Sequence, residues 1–321
     1  MAITGDATST VPAGTLPYTD KLVETLILEA VQDTFMLPAH PAIVDVTEIA
    51  RSLNPMRGLQ LSGTINLQID DAAASWSGTN ESTAVSSPTQ IDPTYFEMSV
   101  ANYDVVYGST DELRRRDATG LYNWPQISQR IVLGWMLTET DLLCDLADSM
   151  TNIVGATTDP CSWDLIREAR DELTENGEHP VGNFLCVLHT AQMALVKADI
   201  ESRGGAVQMR RELDGLQIAG RGNYVGTYDG IDFFETSRIN VSTGVYSGMM
   251  VAPGALGVLR IPQAVATVSQ MRVLDIGGGM ITVEEVRDAD DKQTRWVGAA
   301  TVGFGIIHQS KAVRVRSTGR T

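Results

Sequence analysis

The sequence predicts an α+β fold arranged around one long helix, on three observations. Apolar residues recur at helical spacing between Leu121 and Met150, at Ile127, Ile131, Trp135, Leu142, Leu146 and Met150. Strict alternation at Leu59, Leu61, Ile65, Leu67 and Ile69 returns at Phe96, Met98 and Val100, so two strands flank a long polar tip. Helices and strands then mix through the second half before the chain ends in strands.

In chain order, residues 1–17 are poor in apolar side chains and broken by Pro12, Gly14 and Pro17, which reads as an arm that orders only against a partner surface. Leu22, Val23, Leu26, Ile27, Ala30 and Val31 mark an amphipathic helix over 18–35, stopped before Pro38 and Pro41. The first long strand follows. Residues 70–93 carry almost nothing apolar beyond Trp76, Val85 and Ile91. Structureless loops longer than about a dozen residues are uncommon in compact domains, so this hairpin is expected to reach away from the body and lie on a neighbour. Ser109, Thr110, Asp111, Glu112 and Leu113 resemble a capping box opening a short helix, and Arg114, Arg115 and Arg116 read as a solvated basic face, with subunit or acidic contacts as the alternative.

The long helix is expected over 125–150, with Asn123 as cap and Pro125 in the first turn, a run of roughly 38 Å. Val132, Met136 and Leu143 widen its apolar stripe, and Gln129, Arg130, Glu139 and Asp145 are expected on the wet side. Beyond it the patterns predict a helix over 162–175 closed by Asn176 and Gly177, a strand over 183–188 and a helix over 190–200. Strands over 224–228 and 231–235 flank Asp229 and Gly230, a pair that favours a tight hairpin turn. A short strand over 249–252 turns at Pro253 and Gly254 into a small helical segment before Arg260. Strands over 265–274, 281–286 and 296–308 follow, and Val313 and Val315 alternate with Arg314 and Arg316.

At 321 residues the chain can bury a substantial core, and 43% hydrophobic with 20% charged residues is a globular composition. No apolar run is long enough to span a bilayer, and the first residues do not read as a secretory signal. A net charge of −16 argues against a general grip on nucleic acid, which needs basic patches. Four of the 24 basic residues are lysine and the rest arginine, which suits fixed, planar ion pairs.

Motifs that carry chemistry are missing. Cys144, Cys161 and Cys186 are odd in number and distant from histidine, so they read as reduced, buried thiols. Three glycines at 277–279 lack the Lys-Ser or Lys-Thr of a phosphate loop and read as a bulge or close backbone approach. Gly220, Gly222 and Gly226 miss the dinucleotide spacing. His40, His179, His189 and His308 never stand three or four apart, and Asp70–Asp71 and Asp290–Asp291 read as solvated turns. No catalytic, cofactor-binding or metal-ligating residue is assigned.

The order of elements resembles that of the major capsid proteins of tailed phages, whose fold is shared with the encapsulin shells. The resemblance lies in the arm and helix, the polar-tipped hairpin, the Ser-Thr-Asp-Glu-Leu segment, the long helix, the mixed α/β region and the terminal strands. It implies an α+β fold with an N-terminal arm and helix at 1–56 and an extended β-hairpin loop at 57–107. A peripheral domain with the spine helix would comprise 108–158 and 284–321, and an axial α/β domain 159–283. Asp141 falls where that family often carries an acidic residue. One departure concerns the lysine by which some members weld their loops to an asparagine of another subunit: no lysine stands between Arg57 and Val100.

The resemblance implies a shell subunit without a reaction of its own, and without a cofactor. Its copies would assemble as hexamers and pentamers into an icosahedral head in the host cytoplasm and remain in the virion. Scaffolding, portal and decoration proteins would be partners, scaffolding being supplied by another chain or a removed piece. Packaged double-stranded DNA would lie nearby without sequence-specific binding, and no membrane is involved. The rival in the same fold is an encapsulin-like compartment; the rival of another class is a hydrolase or nucleotide enzyme built on the α/β region.

Overall fold

The computed structural model describes residues 40–47, 63–69, 94–112, 124–175, 182–203, 224–261, 272–276, 281–288 and 292–319. The expected arm and first helix, the tip at 70–93, the run Arg114–Arg116, the bulge at 277–279 and both adjacent acid pairs lie outside them.

Among the described residues the strands form two seven-stranded sheets. In the first, β1 (Ile43–Asp45), β10 (Leu256–Arg260), β13 (Gln293–Ile306), β12 (Ile281–Asp288) and β11 (Arg272–Ile276) lie in that order. The other edge of β13 carries β3 (Thr94–Thr110), which in turn pairs with β2 (Gly63–Ile69). The hairpin anticipated from alternation is therefore present, with Ile69 opposite Thr94 and Gly63 opposite Val100. In the second sheet the order is β4 (Asn152–Val154), β14 (Ala312–Thr318), β9 (Val245–Val251), β5 (Phe184–His189), β7 (Ile231–Thr236) and β6 (Tyr224–Tyr228). A two-residue strand, β8 (Val241–Ser242), hangs on β9.

Two helices cover one face of the second sheet. These are α2 (Trp163–Glu175) and α3 (Thr190–Ser202), and their Ile166, Ala169, Leu173, Met193 and Val196 join Cys186, Leu188, Phe233, Met250 and Val313 in one core. The opposite face, with Leu185, Val187, Phe234, Met249 and Val251, meets Leu143, Cys144 and Ala147 from the long helix and Leu256, Val258 and Val302 from the first sheet. A single apolar layer thus ties both sheets to that helix. The turn at Asp229 and Gly230 has both residues at positive φ, 52° and 74°, as a tight hairpin of this kind requires.

The long helix, α1 (Trp124–Asp145), is shorter than the sequence pattern suggested. It tightens at Leu146–Ser149 into a 3-10 turn, where the Met150 amide bonds back to the Ala147 carbonyl at 3.4 Å. Its stripe is as anticipated at Ile127, Ile131, Val132, Met136 and Leu143, all buried; Trp135 and Leu142 are partly buried at its margin. Glu139 corrects the expected wet face, because it is buried on the stripe and paired with Arg260.

Two further expectations fail. The capping box at Ser109 does not form: β3 continues through Thr110 because β13 keeps pairing it, Ser109 standing opposite Thr294. Helical backbone begins only at Asp111. The segment before Arg260 is not helical but strand β10, paired to β13 from Leu256 to Arg260. In the sheets, β14 lies with β4, β9 and β5, and β10 lies with β13.

Candidate functional site

The arrangement closest to catalytic geometry is a His–Asp pair. His40 Nε2 lies 3.2 Å from Asp232 Oδ2, and Asn183 donates to both oxygens of the same carboxylate at 3.2 Å. Thr227 donates its hydroxyl to Asp232 as well, and Tyr224 reaches Thr227 at 2.7 Å. Burial pushes the Asp232 carboxyl up, but hydrogen bonds from His40, Thr227 and Asn183 outweigh it and hold the group below the usual carboxylate range. The pair cannot serve as a general base, because the other ring nitrogen, Nδ1, accepts from the Ala42 amide at 3.1 Å. With both nitrogens engaged, His40 pins the chain entering β1 to the β6–β7 hairpin.

A second polar seam runs along the end of α1. Arg238 donates to Asp141 at 3.0 Å, and Asn240 bridges Asp145 at 3.0 Å and Asp148 at 2.8 Å. Arg314 of β14 meets Asp148 at 2.5 Å and Ser247 at 2.7 Å. Burial raises the Asp141 carboxyl against the opposing pull of Arg238, and Asp145 raises it further. Three acids near a helix C-terminus oppose the macrodipole, so Arg238, Asn240 and Arg314 offset a local conflict. Asp141, singled out by family resemblance, is thereby an inter-element tie.

A third network joins α2 to α3. Asp199 accepts from the Trp163 amide at 2.8 Å and so caps α2 from a distance, and Arg203 binds Asp164 through two hydrogen bonds of 2.8 and 2.7 Å. The three cysteines are buried and unlinked; burial pushes the Cys144 thiol up to about 12 and that of Cys161 to about 11, far from the thiolate that nucleophilic chemistry needs. Among the described residues no His, Cys, Asp or Glu group is arranged to hold a metal ion, and no helix is long and apolar enough to cross a membrane.

What the surface offers instead is apolar. Between α1 and the first sheet lies a groove of about 290 Å³, lined by Tyr103, Val105, Tyr107, Ile131 and Trp135, with Arg130 at hand. Tyr103 packs on Trp135 with ring centres 5.5 Å apart. Beside it, Val105, Val106 and Tyr107 of β3 are 38%, 60% and 44% exposed. Sequence reasoning missed this surface; the available signal was the run Tyr103-Asp104-Val105-Val106-Tyr107, aromatic and β-branched but for its one acid. This geometry offers an apolar, partly aromatic surface of the kind that packs against another protein.

No family model matches the sequence, and no curated protein does. Solved structures do. The chain is similar to the capsid of Ralstonia phage GP4, with 8% identity over 99% of this chain and 98% of that one and a TM-score of 0.61. It is similar to the capsid of cyanophage Pam1, at 10% identity over 99% of both chains and a TM-score of 0.59. A protein of Mycobacterium phage Che8 matches at 14% identity over 84% of this chain and 88% of that one, with a TM-score of 0.55. With an α-helix laid on a long-stranded sheet, a second sheet sharing its core and a hairpin drawn out from β3, the chain has the fold of the tailed-phage major capsid proteins.

Proposed function

We propose that this chain is the structural subunit of an icosahedral phage head, assembling with its own copies as hexamers and pentamers around double-stranded DNA. The observation that carries the reading is the extent of the likeness, which runs over 99% of this chain and 98% of the GP4 capsid chain. In this reading α1 is the spine, and the first sheet with its β2–β3 hairpin forms the peripheral region and extended loop. The second sheet, with α2 and α3, forms the axial region. β14 then belongs to the axial region although it ends the described chain.

Binding is the mechanism. Modest contacts repeated under closed symmetry add up to a stable shell, so no single interface has to be strong. The net charge of −16 suits a wall that does not clasp its cargo by charge. Scaffolding, portal and decoration proteins would be partners during assembly in the host cytoplasm, and the mature subunit would reside in the virion.

The test is direct: purified chain is sized by sedimentation and imaged by negative-stain microscopy. Closed shells or capsomer rings are expected. A chain that stays monomeric at every concentration and in crowded buffer contradicts the reading.

A further inference from the structure

Among the described residues, part of one edge of the first sheet has no strand beside it. β3 pairs with β13 from Ser99 to Thr110 on one side, but with β2 only from Thr94 to Val100 on the other. Residues 101–109 therefore have no strand on their outer side among the described residues. The Asp111 amide donates to the Lys292 carbonyl at 3.0 Å, continuing the ladder with β13. Alternation along an antiparallel pair then points the backbone groups of Tyr103, Val105 and Tyr107 towards β13 and those of Asn102, Asp104, Val106 and Gly108 outward. Natural edges are guarded by proline, lysine or bulges, and this one has none of them; Asp104 is its one charge.

Along this edge the two tyrosines are placed symmetrically about Val105. Tyr103 and Tyr107 stand two residues to either side, and the unpaired run of 101–109 is centred on the same residue. We propose that two copies of the chain join these edges antiparallel about a two-fold axis at Val105. In that register Val105 faces its own counterpart, Tyr103 faces the second copy's Tyr107, and Asp104 faces the second copy's Val106, so no carboxylate stands directly opposite another. The outward groups of Asn102, Asp104, Val106 and Gly108 meet those of Gly108, Val106, Asp104 and Asn102, completing a ladder of narrow pairs. The joined strand also fits its gap. The second copy's Ser109 would stand opposite Ala101, and the next position along the edge is already taken by Gly63 opposite Val100. β3 itself ends at Thr110, just past the last position of the proposed seam. A contact of this kind is isologous, the same patch used twice.

The inference rests on the shell reading only in that copies meet, and its test separates the two. Val105 occupies a non-hydrogen-bonded position of the proposed ladder, where opposed side chains approach closely enough for a disulfide. The native cysteines are buried and do not compete. Mild oxidation of Val105→Cys is expected to give a reductant-sensitive species at twice 34.7 kDa, while Val106→Cys, which faces Asp104, stays unlinked. As a second arm, Val105→Lys and Val105→Glu are each expected to weaken pairing at least tenfold alone and to restore it when mixed, as only a residue on its own symmetry axis requires. Cross-linking no greater at 105 than at 106, or no recovery on mixing, overturns the pairing. Shells that form without the 105 cross-link overturn it and leave the shell reading intact; cross-linked pairs that never build shells do the reverse.

Discussion

Glu139 Oε1 lies 2.5 Å from Arg260 Nη2, and this ion pair crosses from α1 to β10 with Glu139 buried and Arg260 partly so. The carboxylate is 6% exposed, and Arg260 is held further by Asp45 at 3.9 Å while its amide donates to Thr47 Oγ1 at 2.9 Å. Removing one member strands the other charge in a poorly solvated place, so Glu139→Gln is expected to destabilise the subunit by about 3 kcal/mol. Replacing both by apolar residues of similar size should recover most of that loss. Urea denaturation of the two single variants and the double variant measures the coupling; additive losses would show that the pair does not act as one unit.

Two glycines on opposite sides of the α1 contact should respond with opposite signs. A Cβ at Gly298 of β13 would come within 2.3 Å of Ile131 Cγ2 and 3.0 Å of Val105 Cγ1, so Gly298→Ala must wedge the helix away from the sheet. Overpacking of this kind costs about 1–3 kcal/mol. Gly134, on the helix, has nothing within 4 Å of its Cβ position, and alanine there is expected to stabilise by about 0.5–1 kcal/mol through helix propensity. Shifts in denaturation midpoint of the same sign for both would mean that α1 does not seat on β13 as described.

Much of this architecture is legible in the residues, for local reasons. The Asp229–Gly230 turn, the alternation of β2 and the helical stripe of α1 are short-range patterns that tertiary contacts reinforce. The misreadings fall where a distant partner decides. Glu139 shares its helix face with Val132, Met136 and Leu143, so its phase points inward while its charge points outward, and the Arg260 that resolves the conflict is far along the chain. Leu256–Leu259 is a four-residue apolar run, too short for periodicity to separate strand from helix, and only the pairing of β10 with β13 settles it. Ser109 matches a capping signature, yet the continuing ladder opposite Gln293 and Thr294 overrides it. The edge of β3 left open among the described residues follows from topology, which the local pattern of residues 101–109 does not reveal.

Acid should loosen the attachment of the chain entering β1. Because the Asp232 carboxyl is held below its ordinary 3.8 by its hydrogen bonds, it contributes stability that is fully present above that value and is lost as pH falls through its folded-state value. Asp141, raised by burial, works the other way, since protonation relieves a penalty that the folded state carries at higher pH. Asp232→Asn is therefore expected to flatten the fall in stability below about pH 4, while Asp141→Asn steepens it. Denaturation midpoints from pH 2.5 to 7 check both signs, and parallel curves for Asp232→Asn and the parent chain would remove Asp232 from the account.

The β2–β3 hairpin is paired along its described length, and the residues that join its strands carry almost nothing apolar in sequence. β2 and β3 pair from Gly63–Val100 to Ile69–Thr94, and β3 runs on into a ladder with β13 that holds it to the body. Residues 70–93 are almost wholly polar or small, so their removal takes away little that the isolated subunit could bury. Replacing 72–90 by a short Asn-Gly turn should leave stability within about 1 kcal/mol of the parent, a longer loop costing only slightly more to close than a short one. Shell formation should nonetheless be lost, since in the proposed reading that length of chain is ordered by a neighbour. The absence of lysine between Arg57 and Val100 adds that particles of the parent chain are held without welds from the loop, and boiled in denaturant they should run as one band near 34.7 kDa. Normal shells from the trimmed chain would show that the loop does not hold neighbours together, whereas a trimmed chain that cannot fold would show that the tip belongs to the subunit's own core.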